Sequence, residues 1–124
     1  MGVALFGHAE SQYHVGLGYV GKDEDKAISW MRYAEKQGYG PAQGALLMLL
    51  IRKDTRWAGY EAKALCEKIL EKEPDHVDAL STMALLYLKG EVVRKDHGKA
   101  AEYLKRVNEL DPDNVLAKYV KANL

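Results

Sequence analysis

The chain is predicted to be all-α: a right-handed α-α superhelix, or solenoid, of about three helix-turn-helix repeats plus a C-terminal closing helix. Three observations predict it. Ala62, Cys66 and Ile69 stand 12, 8 and 5 places before Pro74, and Ala100, Leu104 and Val107 stand 12, 8 and 5 places before Pro112. Ser11, Ala42, Ala79 and Ala117 recur at spacings of 31, 37 and 38 residues, which brackets the period of helix-turn-helix arrays. Apolar residues fall at helical spacing along seven stretches, and no stretch reads convincingly as a strand.

The elements follow in order. A first helix is expected from about Ala9 to Val20, with Val15, Gly16 and Tyr19 as its apolar or small positions. Gly21 opens a loop, and Asp23, Glu24 and Asp25 suit the start of a second helix, because carboxylates cap free N–H groups and meet the positive end of the helix dipole. That helix carries Ala27, Met31 and Ala34 on one face and runs to about Gln37, where Gly38, Gly40 and Pro41 stop it. The third helix starts near Pro41, which a first turn tolerates. Its run from Ala45 to Ile51 is apolar all round, which predicts a place at the centre of the stack. A polar loop is read from Arg52 to Arg56, then a fourth helix from about Trp57 to Lys72, weakened by Gly59 in its first turn. The fifth spans Asp75 to Lys89, with Leu80, Met83, Ala84 and Tyr87 at helical spacing, and ends at Gly90. Asp96 caps a sixth that reaches about Leu110, and a seventh from Asp113 onward carries Val115, Ala117 and Tyr119. Each hairpin can bury its apolar face only against a neighbour. One domain over residues 1–124 is therefore expected, with repeats at about 9–40, 41–74 and 75–112 and a closing helix at 113–124.

Composition narrows the function. Eighteen basic residues balance eighteen acidic ones, whereas nucleic acid or an anionic membrane as main partner favours a basic excess. Cys66 is the single cysteine, which excludes an internal disulfide and a cysteine-built metal site. Met1 to Phe6 has neither the basic start nor the length of a secretory segment, and Phe6 stands where N-myristoylation needs serine or threonine. The longest apolar run is seven residues, against about twenty needed to cross a bilayer. The expectation is a soluble chain with no membrane insertion; its compartment stays open, since a single buried thiol survives in cytosol or periplasm alike, with the cytoplasm the favoured one of the two.

Leu80-x-x-Met83-Ala84-x-x-Tyr87, followed by Ala100, Leu104, Val107 and Pro112, resembles a tetratricopeptide repeat unit. The stretch Gly90 to Asp96 with Lys99-Ala100 resembles the longer loop of the related Sel-one-like repeats, and so do Ala9 to Tyr13, Asp25-Lys26-Ala27, Trp30-Met31 and Ala34 to Gln43. The middle unit departs from both patterns, with Leu50 in place of an aromatic and a loop that matches neither family.

The resemblance implies a non-catalytic scaffold for protein–protein interaction, without cofactor. It would hold a peptide or helix of a partner protein in a concave groove lined by the first helix of each pair. Projected onto this sequence, the groove residues are Tyr13, Leu17, Gly44, Met48, Ser81, Leu85 and Tyr119, extended one turn further by Val20, Ile51 and Leu88. For Leu17, Met48 and Leu85 the groove and core readings stay equally open; for Ile51 and Leu88 core is the better one. The lysine and asparagine clamp by which related repeats grip a C-terminal carboxylate is absent, because Tyr13 and Leu17 hold its places. Cysteine-paired relatives associated with penicillin binding are excluded by the lone cysteine. The alternative is a structural self-assembly unit, a homo-oligomer or a piece of a longer array stacked through exposed end helices.

Other chemistry reads as ordinary structure. His8, His14, His76 and His97 are not spaced to converge on zinc, and Ala27, Ser29 and Met31 break any calcium-loop pattern after Asp23, Glu24 and Asp25. Cys66 sits on the apolar face of its helix, a small core residue rather than a nucleophile. Arg52, Lys53, Arg56 and Trp57 form the best basic-aromatic cluster, too small and too offset by Asp54 for nucleic acid.

Overall fold

The computed structural model describes residues 8–124, so the Met1 to Phe6 stretch lies outside the described residues. Seven helices follow one another: α1 (His8–Tyr19), α2 (Glu24–Lys36), α3 (Gly40–Lys53), α4 (Arg56–Lys72), α5 (Val77–Lys89), α6 (His97–Leu110) and α7 (Val115–Ala122). No strand occurs among the described residues, as the all-α reading predicts. The helices form two compact units, one ending at Lys53 and one running from Asp54 to Leu124.

In the first unit α2 packs on both α1 and α3. Its contact face is the predicted one: Ala27, Met31 and Ala34 are all fully buried. Gly16 lets α1 come close, since a Cβ there would lie 3.0 Å from Met31 Cε and 3.2 Å from Trp30 Cβ. The three carboxylates before α2 divide their work. Asp23 is the N-cap and accepts from the Lys26 N–H, while Glu24 reaches back to accept from the Gly21 N–H at 2.9 Å. Asp23 thus satisfies one donor that the helix start would otherwise leave open, and Glu24 satisfies one of the turn before it.

The third helix continues through Arg52 and Lys53, where the sequence suggests a loop. Their cations meet the negative end of their own helix and carboxylates of α2, with Arg52 Nη2 3.2 Å from Glu24 Oε1 and Lys53 Nζ 2.7 Å from Asp25 Oδ1. The chain turns at Asp54, which takes a left-handed φ of 52°, a conformation that Asp and Asn tolerate better than other side chains with a Cβ. Thr55 then caps α4, accepting from the Ala58 N–H.

In the second unit α5 packs against α4, α6 and α7. Nine of its residues are buried, against five on α3. The most enclosed helix is therefore α5 rather than α3: a helix is enclosed by its number of neighbours, and apolar content alone does not report that. Both triplets before the prolines are in the core, Ala62, Cys66 and Ile69 on α4 and Ala100, Leu104 and Val107 on α6. His76 caps α5 through Nδ1, which accepts from the Ala79 N–H at 3.2 Å, so the helix starts just beyond the predicted Asp75.

The long α5–α6 connection is pinned at both ends. Gly90 takes φ 70° and donates its N–H to Leu86 O; Asp96 donates to Tyr87 O at 3.1 Å and caps α6 by accepting from the Lys99 N–H. Between them Val92 lies against α4, where a Cβ on Gly59 would be only 2.6 Å from Val92 Cγ2. Gly59, a weak helix former in an otherwise helical stretch, is explained by that approach.

Candidate partner-binding surface

Helices α1, α3, α5 and α7 place the predicted groove residues in unequal environments. On α1, Tyr13 is half-buried, its ring 5.3 Å from that of Tyr39 and 5.4 Å from His14, while Leu17 is 41% exposed. Partial burial and the neighbouring Glu10 carboxylate push the Tyr39 phenol above its ordinary value, so it stays a neutral hydrogen-bonding group. On α3, Gly44 is half-buried and Met48 is 46% exposed, although Leu46, Leu47, Leu49 and Leu50 around it are core. Val20 and Ile51, one turn further along, are half-buried.

On α5 the same register positions are closed. Ser81 is buried and its hydroxyl donates to Val77 O and Asp78 O of its own helix, Leu85 is 5% exposed, and Leu88 is buried as the core reading has it. Ser81 and Leu85 thus offer a partner no surface in this structure, because α5 carries a neighbour on each of three sides. Tyr119 on α7 is 56% exposed, beside Val115 at 82%. The accessible apolar candidates are thus Leu17 and Met48 in the first unit and Tyr119 in the second.

Polar and reactive groups are largely committed to structure. Gln12, buried on α1, accepts from Gln37 Nε2 and bonds His8; Gln37 also donates to Tyr33 O. Two cations of the basic cluster, Arg52 and Lys53, are held by Glu24 and Asp25. Among the described residues no group of three or more His, Cys, Asp or Glu side chains stands close enough to hold a metal ion. None of the described helices is long and apolar enough to cross a membrane.

Cys66 is fully buried in the α4 face, and burial pushes its thiol up to about 12 from an ordinary 9.0; a hydrogen bond with Thr82 works the other way and nearby Glu67 adds to the rise. The thiolate is the reactive form, so a disulfide reagent at pH 8 should leave Cys66 untouched on the folded chain and modify it at once in guanidinium. The raised value also favours the folded state at neutral pH. That contribution is complete below about pH 9 and is lost as pH climbs toward 12. Modification of the native chain at the rate of a free thiol would contradict the buried placement.

A succession of helices without a strand among the described residues, with exposed apolar side chains on α1 and α3 and its lone thiol sealed in the core, belongs to the class of helical repeat modules. The Sel1 repeat model matches residues 3–39 and 77–111, more than half of the chain, and the chain belongs to the Sel1 repeat family. Sel1 repeats form helical solenoid-type folds; they are protein–protein interaction modules in general, and the family is typically a non-catalytic scaffold. The matched stretches cover the α1–α2 and α5–α6 hairpins. Between them lie α3 and α4, whose connection is only Asp54 and Thr55 where the α5–α6 connection spans 90–96. Comparison with curated proteins found no match, and neither did comparison with solved structures.

Proposed function

We propose that the chain is a non-catalytic interaction module that captures an apolar or amphipathic segment of a partner protein through the exposed side chains of its first helices, Leu17 and Met48 foremost. One observation carries this reading: Met48 is 46% exposed on a helix that buries the leucines on either side of it. An exposed thioether among core leucines costs hydration free energy that a partner's apolar side chain recovers, and methionine adapts to differently shaped ligands. Tyr119 extends the same chemistry in the second unit, whereas Ser81 and Leu85 belong to the core of that unit.

Selection of partners from a random peptide library on immobilised wild type, repeated with Leu17→Asp/Met48→Asp, tests the proposal. Both positions are exposed, so the double variant should keep its circular dichroism and unfolding midpoint to within about 1 kcal/mol. It should lose the selected peptides by roughly tenfold or more in affinity, the worth of two apolar contacts. A folded double variant that retains every peptide at wild-type affinity overturns the groove. If the occupant is a second copy of the chain, wild type will sediment faster as concentration rises and the double variant will not.

A further inference from the structure

Between α6 and α7 the second unit opens a cleft of about 380 Å³. Its apolar lining comes from Ala101, Leu104, Ala117 and Leu124, and its rim carries Lys105, Lys118 and Lys121 against a single lining carboxylate, Asp111. Lys118 Nζ lies 3.6 Å from Asp113, but both side chains are mostly exposed, so that pair holds the cation only weakly. On a chain with equal numbers of acidic and basic residues, three lysines around one apolar cleft form a local excess.

The internal repeat gives this cleft a counterpart earlier in the chain. A shift of 38 residues carries Ala79 onto Ala117 and Pro74 onto Pro112, and so carries the α4–α5 groove onto the α6–α7 cleft. In that counterpart a helix, α6, packs along α5, with Tyr103 stacked on Tyr87 at 5.9 Å. Under the same shift Cys66 becomes Leu104, so the apolar floor is kept. The flanks change sign and character. Leu80 and Met83, both buried, become Lys118 and Lys121, both exposed, and Glu67 becomes Lys105.

We propose that the α6–α7 cleft is a second docking site, distinct from the Leu17 and Met48 surface, and that its occupant is an acidic amphipathic helix of a partner protein. A narrow ridge of alanine, leucine or tyrosine on that helix lies on Leu104 and Ala117. Glu or Asp residues one turn apart on its flanks pair with Lys105 on one side and with Lys118 and Lys121 on the other. The lysine stems cover the apolar ridge while their ammonium groups meet the carboxylates. Charge complementarity of this kind selects the partner and speeds its arrival more than it deepens affinity, so the complex is transient and salt-sensitive.

Two synthetic helical peptides of the length of α6 test it. They share one leucine–tyrosine ridge, and one carries glutamate and the other lysine on its flanks. By fluorescence anisotropy the glutamate peptide should bind wild type, lose at least about tenfold in affinity in Lys105→Glu/Lys118→Glu/Lys121→Glu, and weaken with added salt. The lysine peptide should show the reverse preference. Amide shifts on wild type should map to 101–108 and 117–124 and persist in Leu17→Asp/Met48→Asp, which separates this site from the first. These wild-type shifts and the salt series carry the test even if the charge-reversed chain fails to fold. Absence of binding up to millimolar peptide, shifts confined to α1 and α3, or equal affinity for both peptides overturns the proposal.

Discussion

Gly90→Ala is expected to lower the unfolding free energy by about 2–3 kcal/mol, a large share of what a domain of this size has in reserve. Two costs add. The residue sits at φ 70°, where an L side chain loses about 1–2 kcal/mol to the clash of Cβ with its own backbone. The new methyl would also lie 2.6 Å from Lys95 Cβ and 3.2 Å from Lys95 Cα. The second of these is backbone, so the 90–96 connection itself must move. That connection ends in the Asp96 cap and carries Val92 onto Gly59, and the disturbance therefore reaches α4 as well as α6. Urea unfolding should show a lower midpoint with an unchanged slope. Gly90→Asn separates the two costs, since asparagine tolerates the left-handed region yet still presents a Cβ. It should recover part of the loss and no more. An alanine variant within about 0.5 kcal/mol of wild type would show that the loop is not anchored in this way.

The features that were legible in the sequence are those with a local physical cause. Asp23 and Asp96 cap helices, Gly90 ends one, and the residues at fixed distances before Pro74 and Pro112 are core, because caps, stops and apolar periodicity act within a few residues. What was not legible depends on neighbours remote in sequence. Arg52 and Lys53 look like loop residues until Glu24 and Asp25 are placed beside them. The apolar run 45–51 looks more central than 77–89, yet α5 buries more residues because three helices surround it.

The candidate surface divides along the same line. Repeat register makes Leu17, Met48 and Leu85 look alike, but a shared register fixes only the direction a side chain takes from its helix, not what lies there. Leu85 points into a unit whose α5 is enclosed; Leu17 and Met48 remain exposed. The lysines of the α6–α7 cleft carry a signal in the sequence itself: at Lys118 and Lys121 the repeat substitutes cations for Leu80 and Met83. Deviations from an internal repeat point to specialised positions, once the repeat itself is aligned.

Val120→Asp should detach α7 from the second unit. The helix spans Val115–Ala122, eight residues, far too short to persist alone in water. It is held by the Asn114 cap, which accepts from the Ala117 N–H at 2.9 Å, and by Val120, its single fully buried side chain. A carboxylate in that buried position would be stripped of water, at a cost of several kcal/mol. Undocking one short helix costs less, so the chain should take that route. Hydrogen exchange should then show residues 115–122 exchanging within the mixing time while α5 amides stay protected, with a matching small loss of helical ellipticity. Val120→Ala, which removes only two methyl groups, should cost about 1–2 kcal/mol and leave α7 docked. Lys118 and Lys121 travel with α7, so the detached variant should also lose the glutamate peptide while keeping ligands of Leu17 and Met48. Loss of both together would mean that α7 supports the whole chain rather than one side of one cleft.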